Sequence, residues 1–179
     1  GSWARGFTLR NGTFDINGKS NYTFPGGSAT WQINAQAITL GGQADGVMFI
    51  TNSVASAGFT LFNLQNCITY DAANNPGTAT ISANWYGIGQ AGVGYTKTIQ
   101  VGDSAATAVE LDFTGQMGQN TVADGNAVTL QKTGAGTMRI SATNHFPRMQ
   151  VTAGTLIVNN EHALGETRGL SGGLSNLIT

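Results

Sequence analysis

The chain has 179 residues, only 9% of them Asp, Glu, Lys or Arg, a formal net charge of −1 and one cysteine. Near-neutrality without a basic patch excludes the electrostatic footprint of nucleic-acid or anionic-membrane binding. No apolar run approaches the ~18 residues of a membrane-spanning helix, and a lone cysteine excludes a disulfide framework. An ordinary globular domain is about 25% charged; here Gly, Asn, Thr, Ser and Gln supply nearly half of the residues instead. That is a strand-and-turn alphabet. No long window places apolar residues at i, i+3, i+4 and i+7, so an all-β chain of one domain, residues 1–179, is expected without a linker.

Near the N-terminus, Asp15, Ile16, Asn17 and Gly18 share the opening of a calcium loop but lack its remaining ligands and terminal Glu. They read better as an Asn-Gly turn between strands. From Lys19 to Lys97 the only charged residues are Asp45 and Asp71, while Trp31, Phe49, Phe59, Phe62, Tyr70, Trp85 and Tyr86 fall in the same region. Soluble surfaces normally carry interspersed charges, so this weakly charged stretch suggests a face that packs on another copy or a neighbouring segment. Cys67 lies in an apolar, strand-like run and reads as a small buried hydrophobe. Asp71–Pro76 reads as a turn.

Asn84, Trp85 and Tyr86 form the candidate glycan contact: a flat apolar ring beside an amide suits sugar stacking, although neighbours on a strand point to opposite sides. The following Gly87-Ile88-Gly89-Gln90-Ala91-Gly92 spells a dinucleotide-binding pattern. The required helix is missing, because Val93–Val101 reads as another strand. Thr60, Thr78, Thr96 and Thr114 share an 18-residue spacing, a series that 23 threonines readily produce by chance.

Glu110 and Asp112, at i and i+2, are the candidate carboxylate pair for polysaccharide cleavage. The plainer expectation is an amphipathic strand with both carboxylates solvated and Val109, Leu111 and Phe113 in the core. His145 and His162 are isolated, and no cluster has metal-ligand spacing. Catalytic residues, cofactors and metals are therefore not expected.

The most informative stretch is residues 130–165. Short β-rich runs at Ala127–Gln131, Thr137–Ser141, Met149–Thr152 and Thr155–Asn159 are separated by Gly134, Gly136 and Gly154, where a sharp corner needs positive φ or no Cβ. Alternation puts Met138 and Ile140 on one face, as it does Leu156 and Val158, with Arg139, Ile157 and Asn159 opposite. A single helical turn is expected at Asn160–Leu164, capped by Asn160 and stopped by Gly165. Lys132, Thr133, Gly134, Gly136, Thr137, Asn144, Ala153, Gly154, Thr155 and Leu156 together resemble the autotransporter-associated β-strand repeat, with Met138 in place of its usual Leu. Phe146, Pro147 and Arg148 replace that family's usual Gly-Gly-Thr-Thr corner. The resemblance covers about a fifth of the chain. It implies a parallel β-helix on a bacterial surface or outside the cell, and it implies no catalytic residue.

The expected fold is thus a parallel β-helix, or β-solenoid, with a β-sandwich as the alternative. Residues 166–179 are expected to be a C-terminal cap or docking tail. The expected function is structural and non-catalytic: an extracellular β-solenoid that extends from the cell or self-assembles into fibres through its weakly charged face and open ends, with other copies of itself as partners. A glycan-binding adhesin module is the second reading and a polysaccharide hydrolase or lyase the third.

Overall fold

The computed structural model describes residues 6–16, 31–53, 60–86, 96–118, 129–144 and 148–164. These are all β and turn; no helix occurs among them. The strands are β1 (Phe7–Leu9), β2 (Gly12–Asp15), β3 (Trp31–Gly41), β4 (Met48–Thr51), β5 (Thr60–Asp71), β6 (Ala79–Ile81), β7 (Trp85–Tyr86), β8 (Thr96–Val101), β9 (Leu111–Phe113), β10 (Met117–Gly118), β11 (Thr129–Thr133), β12 (Thr137–Ile140), β13 (Arg148–Val151) and β14 (Thr155–Val158).

They build two parallel sheets. The first runs β1-β3-β5-β8-β11-β13, with the short β7 joined to β5 and β10 joined to β7; the second runs β2-β4-β6-β9-β12-β14. Leaving aside the short β7 and β10, the chain therefore adds one strand to each sheet in turn, each beside the strand laid down before. We call each such pair of strands a tier. Every described pairing is parallel, whereas the sandwich considered as the alternative packs antiparallel sheets.

Register turns this order into a core. In the second sheet, Met48, Ala79, Leu111, Met138 and Leu156 form one row across neighbouring strands, and Phe14, Ile50, Ile81, Phe113, Ile140 and Val158 form the next. In the first sheet, Phe7, Ile38, Ile68 and Ile99 make one row, and Leu9, Leu40, Tyr70 and Val101 another. The interior members of these rows are buried. At the first tier the Phe7 and Phe14 rings meet with centroids 4.9 Å apart, linking the two sheets. The intervening residues point outward, as at Thr13, Phe49, Thr80, Asp112, Arg139 and Ile157. The faces expected for Met138, Ile140, Leu156 and Val158 are those observed.

Several turn expectations also hold. Around Asp71–Pro76, the Asn75 amide donates to the Ala72 carbonyl at 3.0 Å and the Ala73 amide to Asp71 Oδ1 at 3.0 Å. Asn74 and Asn75 take φ of 62° and 49°, a region that Asn tolerates better than most residues. Residues 161–164 form a turn rather than a helix: Asn160 Oδ1 accepts from the His162 amide at 2.8 Å, and its carbonyl accepts from Ala163 at 3.0 Å. Of the strand expected at Val93–Val101, the described part is β8. The Asn17-Gly18 turn, the Gly87–Gly92 loop, Phe59, His145 and the tail at 166–179 lie outside the described residues.

Phe113 is fully buried at the centre of its row, whereas Phe49 is 42% exposed on the outer face. Phe113→Ala is expected to cost about 3–5 kcal/mol and Phe49→Ala less than ~1 kcal/mol, as read by urea denaturation.

Candidate functional site

The polar side chains gather where the chain bends from the first sheet to the second. This corner recurs in each tier: residues 10–11 between β1 and β2, 42–47 between β3 and β4, 72–78 between β5 and β6, 102–110 between β8 and β9, 134–136 between β11 and β12, and 152–154 between β13 and β14. Strand ladders break at a bend, so the backbone groups there need other partners if they are shielded from water.

Tyr70, at the end of an inward row, sends its hydroxyl to the carbonyl oxygens of Pro76 and Gly77, at 2.8 and 2.9 Å. Ser104, one tier on, donates its hydroxyl to the same Pro76 oxygen at 2.7 Å. Its amide donates to Glu110 Oε1 at 3.2 Å, while Glu110 Oε2 accepts from the Thr137 amide of the next tier at 2.6 Å. Burial raises the Tyr70 pKa above its ordinary value; the Ser104 hydrogen bond opposes this and the Glu110 charge adds to it.

Lys132 occupies an inward position, in register with Ile99 and Val151, and is 0% exposed. Its ammonium donates to the Gly134 carbonyl at 2.9 Å, the Ala153 carbonyl at 2.8 Å and, more distantly, the Thr133 carbonyl at 3.5 Å. Desolvation lowers its pKa, and the Glu110 carboxylate pulls it partly back. Glycine makes room for this arrangement. A Cβ on Gly154 would lie 2.6 Å from Lys132 Nζ and 2.5 Å from the Gly134 carbonyl oxygen; one on Gly134 would lie 2.2 Å from the Val101 carbonyl oxygen. Both glycines have positive φ, 69° and 79°. Lys132, Gly134 and Gly154 therefore work as one unit: the Gly134 carbonyl holds the cation, the missing Gly154 Cβ admits it, and the missing Gly134 Cβ lets the bend pass close to Val101.

The expectation that Glu110 and Asp112 are both solvated is corrected by this geometry. Glu110 is 2% exposed rather than solvated, because β9 begins at Leu111 and leaves Glu110 on the corner, outside the strand alternation. Asp112 faces outward, as expected, but is largely covered by Arg139, whose Nε donates to Asp112 Oδ1 at 3.0 Å while Nη2 donates to Oδ2. The hydrogen bonds and charge of Asp112 hold the Arg139 pKa above its ordinary value. One carboxylate anchors backbone amides and the other pairs with arginine. Val109 is half-buried at the corner, and Leu111 and Phe113 are in the core as expected.

Of the glycan candidates, Asn84 is half-buried and its Oδ1 accepts the Gln116 amide of the following tier at 2.9 Å. Trp85 and Tyr86 form β7, Trp85 in register with Phe62 and Met117. Cys67 is in register with Ala37 and Thr98. The evenly spaced threonines do not stack, since Thr96 pairs with Thr129; the row that does form on the first sheet is Thr8, Thr39, Thr69, Gln100 and Thr133. His162 lies on the surface beside Glu161, with Nε2 to Oε1 at 3.2 Å.

Two residues gain roles that the sequence reading did not assign. Lys132 matched the repeat, but only its alternation with Leu130 signals that its side chain points inward. Asn144 is fully buried: its Oδ1 accepts the Met117 amide at 2.7 Å and its Nδ2 donates to the Ala163 carbonyl at 2.6 Å, connecting three successive tiers.

No protein-family model, curated protein or solved structure matches this chain.

Two predictions follow from the corner. Lys132→Met and Gly154→Ala are each expected to cost more than ~1 kcal/mol, and the double variant less than the sum, because both disrupt one arrangement. A urea double-mutant cycle reads this. In the wild type, the lowered Lys132 pKa means that between that value and the unfolded value of 10.5 the unfolded chain binds more protons. Its contribution to stability therefore rises with pH across that window. Lys132→Met should remove that part of the slope, as measured by urea midpoints at successive alkaline pH values.

Proposed function

We propose that this protein is a non-catalytic structural β-solenoid of the bacterial surface or extracellular space, extending from the cell or assembling into fibres with other copies of itself. The observation that carries the reading is the use made of its polar groups. Glu110, Lys132, Asn84 and Asn144 bind backbone atoms, and most of their contacts join one tier to another. In a stack of repeated units, stability is approximately a sum of terms within each unit and between neighbours. Side chains that join adjacent tiers strengthen the second kind. A protein built in this way resists bending and local opening, which is the property required of a stalk or a fibre.

The resemblance of residues 130–165 to the autotransporter-associated repeat supports the same reading and suggests its location. The contacts of Lys132, Gly154 and Asn144, at the corner and between tiers, support a mechanical reading of that motif. The long charge-poor stretch between Lys19 and Lys97, which carries Val47 and Phe49 exposed at its surface, supports lateral contact between copies, because burying such a face involves little charge desolvation.

Electron microscopy of the purified chain, with light scattering over a concentration series at physiological salt, tests the assembly. Regular filaments, or mass that grows with concentration and falls when Val47 and Phe49 are replaced by Lys, are the expected result. A monodisperse monomer at millimolar concentration would remove self-assembly and leave the extended-stalk form of the reading.

A further inference from the structure

The large apolar side chains that stand exposed among the described residues are Val47, Phe49, Ile157 and Val158. Val158 belongs to an inward row, but alternation puts the other three on the outer face of the second sheet. The outer face of the first sheet presents the polar row of Thr39, Thr69, Gln100 and Thr133 instead. On the second sheet one outward row crosses all six strands in the order Thr13, Phe49, Thr80, Asp112, Arg139 and Ile157. Its charges are a single pair, Asp112 bound to Arg139. The row is therefore neutral as a whole, with an aromatic ring towards one end and a guanidinium towards the other.

Such a face fits a second copy of itself in one orientation and not in the other. Laid face to face with the strand order unchanged, two copies set Asp112 against Asp112 and Arg139 against Arg139, and like charges so placed oppose binding. A two-fold axis in the interface, parallel to the strands and midway between β6 and β9, reverses the order. Phe49 of each copy then faces Arg139 of the other, Thr80 faces Asp112, and Thr13 faces Ile157. Each of these contacts is chemically sound. Arg139 spends one edge of its guanidinium on the two Asp112 oxygens and is still 38% exposed, and a guanidinium held edge-on keeps its flat faces for an aromatic ring. The Asp112 oxygens retain lone pairs for the Thr80 hydroxyl. Within one molecule the strands of Phe49 and Arg139 are three steps apart, about 14 Å at the usual spacing, so it is the second copy that brings ring and cation together.

We propose that the outer face of the second sheet is an interface for a second copy of this chain, packed sheet on sheet with the strand order reversed and with Phe49 of each copy stacked on Arg139 of the other. The inference rests on the proposed self-assembly and specifies its lateral contact. Six strands at ~4.8 Å, three outward residues deep, cover on the order of 500 Å² per copy, the low end for a specific interface, so the pair forms reversibly with concentration. A contact of this symmetry closes at two copies; growth beyond a pair uses a different surface.

Charge substitution at two positions of the row, read by sedimentation equilibrium of the full chain, tests the orientation. Phe49→Lys sets an ammonium against Arg139 of the other copy and is expected to weaken the pair by about tenfold or more, whereas Phe49→Glu keeps it within ~threefold of the wild type and makes it more sensitive to salt. At Thr80, which faces Asp112, the signs exchange: Thr80→Glu weakens the pair and Thr80→Lys preserves it. With the strand order unchanged each residue would face its own counterpart, and all four substitutions would weaken the pair alike. That result, the opposite sign at either position, or a pair that none of the four alters would overturn the proposal. Both positions are on the surface, and urea midpoints close to that of the wild type show that the variants fold. Association that persists in all four variants overturns this inference and leaves self-assembly standing; a wild-type chain that stays monomeric to millimolar concentration overturns both and leaves the extended stalk.

Discussion

In-register parallel stacking is the constraint on which the other features depend. Once Ile81, Phe113 and Ile140 occupy one row, the neighbours of each strand are fixed, and a slip of one residue would bring Ser82, Thr114 or Ser141 inward while exposing the row. The row does not tolerate compromise because its members are fully buried on both sides. Register in turn fixes where the corners fall, since a strand that ends at Val101 or Thr133 must bend there for the next strand to begin in line with its predecessor.

The corner is the costly part of this plan. Backbone groups that a ladder would pair in a straight strand are turned out of line, and at the corner some of them are met by buried side chains. Buried amides and carbonyls without partners cost about 1–3 kcal/mol each, so the side chains near the bend are largely assigned to them. The division by charge is consistent: the Glu110 carboxylate receives amide hydrogens and the Lys132 ammonium satisfies carbonyl oxygens. Each ion is buried, and each has its charge spread over two or more backbone dipoles instead of one opposite ion. That arrangement avoids dependence on a single salt bridge, whose net value when buried is often small.

The sequence reveals the faces of the strands more readily than the plan of the stack. Alternation at Met138–Ile140 and Leu156–Val158 is local, so it is legible from a few residues. The spacing between tiers is not constant: partners are 31 residues apart at Thr51 and Ser82, 27 at Asp112 and Arg139, and 19 at Gln131 and Gln150. Corners of different length absorb the difference, and a search for one period finds only the short final tiers. For the same reason the role of Asn84 was hidden. Its partner, Gln116, is 32 residues away across a corner of unpredictable length, whereas the glycan reading drew on its immediate neighbours Trp85 and Tyr86. Glu110 was misplaced by one residue of strand boundary. Had β9 begun at Glu110 instead of Leu111, its side chain would share the outer face with Asp112; Asp112 would still lie under Arg139.

Variable corners with a constant core also say where such a protein can change. A corner can lengthen, as it does from residues 134–136 to 102–110, without moving the rows, because added residues such as Asp103, Ala105, Ala106 and Ala108 lie exposed and the entropic cost of a longer loop grows only slowly. What cannot change freely is the set of groups that meet the bent backbone: an inward Lys needs two carbonyls and a glycine opposite it, and a buried carboxylate needs two amides. Lys132, Gly134, Gly136, Asn144 and Gly154, all within residues 130–165, are choices of this constrained kind. Many apolar side chains fill a row, but few residues fit a buried bend.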